Sequence, residues 1–366
     1  MKVALVIDTW FPQVGGGQAN AWEISKRLAG NGTSIDIITR NTGEDNLKLP
    51  YNLKVIKLGA KAKPFDYFSK VVFLFNAYFY IYKKDYDLVH AHAFLPGITA
   101  RLLSILNGIS SIFTVHGTSI GTRLNNPFKE RIEKFILTQI LYNAQITVSQ
   151  DFKKVKNIND KIFYISNGVD TKNFDKVKTS KFKNPTIIFV GRLHPQKNLP
   201  NLIKALAIVK ENIPQINLII VGEGQEKESI RKTVLELNLE SNVILKGELP
   251  LTTLIGLYKY SHLFVLPSIY EGQPLTLLEA WAAKIPAVVS ATSDCAYLVK
   301  NGVNGYLIDN PLIPAQIAAQ IKKALGANNL QKMGQNGYNL VSRTFSWDRS
   351  AQKTLKLYES LTKAKN

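Results

Sequence analysis

The sequence predicts an α/β fold made of two doubly wound halves, each with a parallel sheet. Short apolar runs alternate with helical patterns along the whole chain, and the strand-like runs fall into two series. Such alternation is typical of parallel strands joined by right-handed helical crossovers. The length of 366 residues favours the same division, because single hydrophobic cores stop growing beyond about 250–300 residues.

Two series of apolar runs define the predicted strands. The first comprises Val3–Ile7, Ile35–Thr39, Leu53–Leu58, Leu88–Ala91, Ser111–Val115 and Ile146–Ser149. The second comprises Thr186–Val190, Asn217–Val221, Val243–Leu245, Leu263–Leu266 and Ala287–Val289. The polar, Lys-rich stretch Asp170–Pro185 separates them and predicts an inter-domain linker. We therefore expect domains at residues 1–168 and 169–346, a cleft between them, and a C-terminal helix at 347–366 that packs back on the first domain.

The composition favours a cytoplasmic protein. The single cysteine, Cys295, cannot form an internal disulfide, which fits a reducing compartment. The N-terminal apolar run is too short for a signal peptide and predicts a first strand. No uninterrupted apolar stretch reaches the length of a transmembrane helix.

The net charge of +19 indicates an anionic partner. Residues 1–170 carry 21 basic and 13 acidic side chains, and residues 171–366 carry 25 and 14, so both halves are basic. Locally, the segment Lys48–Lys84 holds eight lysines against Asp66 alone. Nucleic acid, anionic lipid and phosphorylated substrates all suit such charge. No nucleic-acid motif or aromatic ladder is present, which disfavours the first of these.

A strand, a polar loop and a helix follow one another in the stretch LPSIYEGQPLTLLEAWAAKIPAVVS at residues 266–290. The predicted helix spans Leu275–Ala283, with Pro274 as its first-turn proline. Free N–H groups and the positive dipole end of a helix N-terminus suit phosphate. Glu271 precedes this helix, and Glu279 lies inside it, within reach of sugar hydroxyls. Taken alone, the two glutamates would also fit a solvated loop and a surface helix.

Two basic residues follow the predicted strand Thr186–Val190, where the carboxyl ends of parallel strands bind ligands. Gly191 permits a turn, after which Arg192 and Lys197 could both reach one diphosphate, the first as a planar fork and the second as a point charge. Residues 221–226, VGEGQE, form a second strand-end glycine turn. Two basic residues that did not follow the end of a strand would more often be ordinary solvated surface residues.

In the first half, Gly15, Gly16 and Gly17 follow the strand Val3–Ile7 and precede a helix predicted from about Gln18. Three glycines allow a backbone to approach a ligand closely. The string is not G-x-G-x-x-G and no acidic partner follows about 20 residues later, which disfavours a dinucleotide site. A plain strand–helix turn is the alternative.

Two neighbouring strands end in histidine. His90 and His92 alternate on one strand and share a face, and His116 ends the next strand, followed by Gly117. No Cys/His cluster supplies the further ligands that a metal would need, so a metal site is not expected; ordinary core histidines are the alternative. The D-x-D string at residues 85–87 lies at the start of a strand, the wrong edge for ligands.

The motifs together resemble those of the retaining glycosyltransferases of family 4, the group 1 type, which have the GT-B fold. In the pattern S-x-x-E-G-x-P-x-x-x-x-E-A, seven residues separate Glu271 from Glu279, and residues 191–198 are similar to G-R-x-x-x-x-K-N. Residues 165–174 resemble the hinge entry P-N-G-V-D, with Ser166 in place of proline. Lys284 stands where the family commonly has glycine, and residues 293–296 replace a Gly-rich turn and a glutamate.

The resemblance implies a donor site that needs neither metal nor cofactor, with a UDP-sugar or GDP-sugar as substrate. It places Glu271 and His116 beside the transferred sugar as catalytic residues, and Glu279 on the ribose hydroxyls. The implied donor-binding residues are Gly16, Gly17, Arg192, Lys197, Gly272, Pro274, Leu275, Thr276 and Glu279. We expect a hexosyltransferase acting with retention on a hydroxyl acceptor, a lipid-linked or surface-polysaccharide precursor.

The aromatic segment Phe65–Tyr82 has a narrow polar stripe and lysines at both ends. Such a helix could lie in a membrane interface or pack on the first sheet. With the local positive charge, we expect peripheral contact with an anionic membrane, on the inner face of the plasma membrane, and no nucleic-acid partner. A nucleotide-sugar epimerase of the same fold, a basic nucleic-acid-binding protein and an inactive scaffold are the alternatives.

Overall fold

A computed structural model describes residues 1–12, 15–44, 47–63, 66–117 and 127–363. The chain forms two compact units, one of Met1–Asn167 with Trp347–Asn366 and one of Gly168–Ser346. Each unit is built on one parallel sheet, so the predicted α/β class with two doubly wound halves is confirmed. In these residue ranges, no helix is both long enough and apolar enough to cross a membrane.

The first unit has a parallel sheet in the order β3-β2-β1-β4-β5-β6-β7. The order reverses direction between β1 and β4, which is the topological switch point where open sheets bind ligands. In chain order its elements are β1 (Lys2–Ile7), α1 (Gly16–Gly30), β2 (Ser34–Arg40), β3 (Leu53–Leu58), α2 (Tyr67–Tyr82), β4 (Leu88–His92), α3 (Phe94–Asn107), β5 (Ser110–Val115), α4 (Pro127–Gln139), β6 (Ala144–Thr147), β7 (Ile162–Tyr164) and α13 (Trp347–Lys363).

Helices cover both faces of this sheet. Helices α2, α3 and α4 share one core with the strands, to which they contribute Phe73, Leu103 and Leu137. Helix α13 packs against α1 and β4, where Tyr358 meets His90. Because Val89 and Ala91 of β4 lie in the first core and strand side chains alternate, α13 covers the opposite face.

The second unit repeats the pattern with the strand order β10-β9-β8-β11-β12-β13 and a switch point between β8 and β11. Its core is one continuous cluster of buried aliphatic and aromatic side chains. Its elements are α5 (Thr171–Asp175), β8 (Thr186–Val190), α6 (Leu199–Lys210), β9 (Asn217–Val221), α7 (Lys227–Glu236), β10 (Val243–Leu245), α8 (Leu251–Tyr260), β11 (Leu263–Leu266), α9 (Leu275–Ala282), β12 (Ala287–Ser290), α10 (Ser293–Leu298), β13 (Gly305–Ile308), α11 (Pro314–Leu325) and α12 (Leu330–Thr344).

Several predicted boundaries shift by one or two residues. The strand predicted at Ile146–Ser149 is β6, two residues earlier, and α1 begins at Gly16 rather than Gln18. Pro274 directly precedes α9 instead of occupying its first turn. The predicted segment Phe65–Tyr82 forms α2 from Tyr67 onward; Phe65 lies outside the described residues.

The prediction that Asp170–Pro185 is an inter-domain linker was wrong. This stretch belongs to the second unit, and it contains the short helix α5. Phe174 is fully buried there, with its ring centroid 6.4 Å from that of Tyr258. The polar, Lys-rich pattern reflects the solvated side of this segment, while Phe174, Val177 and Phe182 attach its other side to the core.

Candidate active site

Two glycine turns join the carboxyl ends of β8 and β9. Gly191, Gly222 and Gly224 all have positive φ, at +156°, +139° and +157°. A Cβ atom added to Gly222 would lie 2.0 Å from the Gly191 carbonyl oxygen, and one added to Gly224 would lie 2.3 Å from that of Leu193. The Leu193 N–H donates to the Glu223 carbonyl at 2.9 Å. Only glycine permits this backbone approach, which holds the turn carrying Arg192 in place.

The two predicted diphosphate ligands differ in their surroundings. Arg192 is exposed, and within the described part of the chain its guanidinium has no ion-pair partner. Lys197 ends a short 3₁₀ helix, Pro195–Lys197, and its Nζ lies 2.5 Å from Oε1 of Glu271. The side chains of Lys197 and Glu271 are only 15% and 8% exposed. Sequence reasoning gave these two residues separate roles, whereas the structure pairs them.

Residues next to Lys197 attach its turn to the loop that carries Glu271. The buried Asn198, with φ of +58°, donates from Nδ2 to the carbonyls of Pro267 at 3.2 Å and Pro311 at 2.6 Å. Gln196 donates from Nε2 to the Tyr270 carbonyl at 2.8 Å. The bonds to Pro267 and Tyr270 join residues 69 and 74 positions apart in sequence, so they place Lys197 and Glu271 together independently of their own attraction.

The loop Gly272–Pro274 leads into α9, whose first N–H groups, including those of Leu275 and Thr276, have no partner within the helix. No side chain caps this end. Helix α9 therefore presents N–H groups and a positive dipole end immediately after the Lys197–Glu271 pair. This arrangement is suited chemically to a phosphate oxygen.

The first turn of α10 departs from the family pattern and braces the same loop. Asp294 is fully buried; its Oδ2 accepts from Nε2 of Gln273 at 2.9 Å, and its N–H donates to the Gly272 carbonyl at 3.4 Å. Ser293 has φ of +41° and Lys284 has φ of +60°. These are conformations that favour glycine, so the glycines common at both places in the family have a backbone reason.

Glu279 lies one turn into α9 and is hydrogen-bonded. Its Oε2 accepts from the hydroxyl of Tyr258 in α8 at 2.9 Å. Burial raises the pKa of the Glu279 carboxyl, and the bond from Tyr258 acts in the opposite direction. Sequence reasoning missed Tyr258 as the partner, because it lies on a separate helix that folding brings alongside.

The histidines of the first unit form a cluster, held by two separate sets of hydrogen bonds and by ring contacts. His90 contacts the Tyr358 hydroxyl through Nδ1 and the Thr114 hydroxyl through Nε2, both at 2.6 Å. Nδ1 of His92 lies 2.8 Å from Nε2 of His116. The rings of His90 and His92 are 4.4 Å apart between centroids. The predicted shared face of His90 and His92 is confirmed, and His116 joins it.

All three imidazoles are neutral at pH 7. Burial lowers the pKa of His90 to about 3 and that of His116 to about 4. The pKa of His92 is also lowered well below its ordinary value, by burial first and then by its two histidine neighbours. A neutral His116 can donate or accept a hydrogen bond, but its conjugate acid is too scarce at pH 7 to serve as a general acid.

A cavity of about 180 Å³ lies at the ends of β1, β4 and β5, lined among others by Asp8, Gly17, His92 and His116. A Cβ atom on Gly17 would lie 3.3 Å from Cδ2 of His116, whereas one on Gly16 would meet nothing within 4 Å. A side chain at Gly17 would thus press tightly on the His116 ring, whereas Gly16 is not constrained by its neighbours. Ala93, which follows His92, has the unusual φ of +75°.

The candidate residues divide between the two units. Gly16, Gly17 and His116 lie in the first, and the remaining candidates lie in the second, where they cluster at the ends of β8 and β11. The D-x-D string lies at the start of β4, as expected, with Asp87 accepting from the backbone N–H of Lys2 at 2.7 Å. Across the described ranges, no group of three or more His, Cys, Asp or Glu side chains is placed to hold a metal ion.

Comparison with known proteins identifies the family. The model of Glycosyltransferase Family 4 matches residues 14–173, and that of Glycosyl transferases group 1 matches residues 170–340. A similar curated protein is the UDP-Gal:alpha-D-GlcNAc-diphosphoundecaprenol alpha-1,3-galactosyltransferase of Escherichia coli, 27% identical over 93% of this chain and 95% of that protein.

Solved structures with the same fold include a sucrose-phosphate synthase from Thermosynechococcus elongatus, with a TM-score of 0.87 and 22% identity over 99% of both chains. Another is HepE of Anabaena in complex with UDP-glucose, with a TM-score of 0.80 and 18% identity over 98% of this chain and 100% of that one. The two family models together cover most of the chain, and the fold agrees with them. The chain therefore belongs to the family 4 glycosyltransferases, the group 1 type, and has their GT-B fold.

Proposed function

We propose that this protein is a retaining hexosyltransferase that moves a sugar from a UDP-sugar or GDP-sugar to a hydroxyl acceptor. The observation that carries the proposal is the Lys197–Glu271 pair beside the N-terminus of α9, with the free guanidinium of Arg192 in the adjoining region. Positive charge and free N–H groups thus lie next to a buried carboxylate. A nucleotide-sugar donor needs positive charge and N–H groups for its diphosphate, and a carboxylate for its sugar.

The chemistry follows from where charge develops. As the glycosidic bond to the diphosphate breaks, negative charge grows on the leaving phosphate and positive charge on the anomeric carbon. Lys197, Arg192 and the α9 N–H groups stabilise the former without a metal ion. Glu271 faces the sugar, steadies the positive centre and is held by Lys197, which favours this role over that of a covalent nucleophile. Glu279 binds the ribose hydroxyls.

We propose a lipid-linked or surface-polysaccharide precursor as the acceptor, bound by the first unit at the cavity of His92 and His116. The name of the similar Escherichia coli enzyme includes a diphosphoundecaprenol acceptor, which supports this class. Neutral His116 would orient a hydroxyl by hydrogen bonding. A protein acting on such an acceptor works at a membrane surface, peripherally and on the cytoplasmic face.

Donor binding tests the proposal directly. We expect UDP or GDP to bind in calorimetry and each of Arg192→Ala and Lys197→Ala to weaken binding by about 2–5 kcal/mol, the range for truncating a buried charge pair. Arg192→Ala should leave the melting temperature unchanged, whereas Lys197→Ala should lower it because Glu271 stays buried and unpaired.

The matched control is Arg343→Ala, which removes another exposed guanidinium, from α12. Unchanged nucleotide binding in both site variants would refute the assignment. Turnover with a binding donor should survive EDTA and give a product with the donor's anomeric configuration. A sugar epimerised without any acceptor would instead favour the epimerase, and salt-sensitive binding to DNA or RNA without donor turnover would favour a nucleic-acid-binding protein.

A further inference from the structure

Helix α2 is apolar on two opposite sides. One side, with Phe73, Ala77 and Ile81, is buried against the first sheet. On the other side, the exposed fraction reaches 79% for Phe68, 62% for Phe75 and 56% for Phe79. A helix that is hydrophobic all round is normally buried on all sides. Within the described residues, the exposed side of α2 is therefore left without the apolar partner that its side chains require.

The neighbouring helices continue this apolar face. Helix α3 packs on α2, and α4 packs on α3, all three over the same core. Each exposes large apolar side chains that the sequence did not single out. We call the exposed residues of α2, α3 and α4 together the three-helix surface. Its members beyond α2 are Leu102, Ile105, Leu106, Ile132 and Phe135, which are 42–64% exposed.

Basic side chains border the three-helix surface. Lys83 and Lys84 are exposed at the end of α2, and Arg131 and Lys134 are exposed on α4 beside its apolar residues. The structure also removes two lysines from the predicted basic segment. Lys57 donates to the Gly43 carbonyl at 2.7 Å, and Nζ of Lys70 lies 3.5 Å from Asp8.

We propose that the three-helix surface binds a lipid bilayer that contains anionic lipids. Exposed Phe and Tyr rings on α2 suit the headgroup region, and the bordering cations attract anionic headgroups. A second copy of the chain suits the surface less, because a symmetric pair would bring the same cations together. The inference rests on the proposed function, since membrane binding would bring the first unit to a lipid-linked acceptor. The residues of the three-helix surface are separate from the residues proposed to bind the donor.

Vesicle co-sedimentation of the full chain tests this surface. We expect binding to phosphatidylcholine vesicles that contain phosphatidylglycerol to be at least about tenfold tighter than to phosphatidylcholine alone, since each nearby cation contributes about 1 kcal/mol. Phe75→Ser with Phe79→Ser, and separately Ile105→Ser with Leu106→Ser, should each weaken binding at least fivefold. Leu235→Ser, which alters a side chain 60% exposed on α7 of the other unit, should leave binding unchanged.

Several results would overturn the inference. These are absence of binding, equal binding to both vesicle types, wild-type binding by the α3 variant, and a solution dimer that the α2 and α3 variants abolish. UDP binding by the same proteins separates this surface from the proposed function. Normal UDP binding with no vesicle binding rejects the surface alone, whereas vesicle binding without UDP binding supports the surface and rejects the donor site.

Discussion

The contact between Lys197 and Glu271 changes the interpretation of both residues. Each was assigned a separate ligand from sequence, yet their charged groups lie 2.5 Å apart and are largely buried. Removing one partner of a buried ion pair leaves the other uncompensated, which costs about 3–5 kcal/mol. Truncating either residue alone should therefore destabilise the second unit.

Changing the two glutamates to glutamine should separate their roles. Glu271→Gln should lower kcat by about 100-fold, because its charge acts mainly in the transition state, and should leave UDP affinity nearly intact. Glu279→Gln should raise the donor KM by about tenfold, because the contact that we propose with the ribose would be made equally in the ground state. Steady-state kinetics and UDP calorimetry measure both effects.

The control for both variants is Glu240→Gln, which neutralises an exposed glutamate of the same unit. It should match the wild type in kcat and KM. If Glu271→Gln mainly raises KM while Glu279→Gln mainly lowers kcat, the assignment of roles is reversed.

Sequence reasoning found the charged candidates of the site but not the residues that hold them. Glu271, Arg192 and Lys197 were found because short motifs at strand ends carry them. Tyr258, Asn198 and Asp294 were missed because their partners lie on other elements, as with Tyr258, 21 residues before Glu279. Nothing local in a tyrosine of an apolar helix indicates that its hydroxyl meets a carboxylate.

At the scale of elements, strand-end glycines control how closely loops approach. Gly222→Ala should destabilise the second unit by more than about 2 kcal/mol. It adds a backbone clash at 2.0 Å to the cost of positive φ, about 1 kcal/mol. Gly302→Ala is the matched control, with φ of +73° and its nearest contact at 3.8 Å.

Thermal unfolding of Gly222→Ala and Gly302→Ala compares the cost of the backbone clash with the cost of positive φ. Donor binding by the same variants shows whether the turn that carries Arg192 is disturbed. Gly302→Ala should show the conformational cost alone. Equal losses of stability in the two variants would mean that the loops of β8 and β9 separate easily, and that the close approach does not position Arg192.

The elements themselves were largely predictable, with physical exceptions. Central strands such as β1 and β8 are continuous apolar runs buried on both faces, which is typical of parallel sheets. The edge strand β7, with Phe163 at 40% exposure, and the terminal strand β13 were missed. They are three and four residues long, and pairing with a neighbour rather than their own pattern makes them strands.

At the scale of the whole molecule, most of the histidines lie in the first unit. Three of the five histidines, His90, His92 and His116, form one cluster in the first unit. Burial lowers their folded-state pKa values, to about 3 for His90 and about 4 for His116, whereas an unfolded histidine titrates near 6.5. Between these values the unfolded state binds more protons than the folded state. Stability is therefore fully present above pH 6.5 and is lost as pH falls toward 4.

We expect the urea midpoint of the first unit to fall steadily from pH 7 to pH 5, above the range where most carboxylates titrate. Each neutral buried histidine contributes a slope of up to about 1.4 kcal/mol per pH unit. His90→Gln keeps polar groups for the Tyr358 and Thr114 hydroxyls but cannot titrate, so its midpoint should fall less steeply, even if it is lower at pH 7. His262→Gln, at a partly buried site in the second unit, should leave that slope unchanged. If the urea midpoint of His90→Gln falls with pH as steeply as that of the wild type, the buried histidines do not cause the loss of stability in acid.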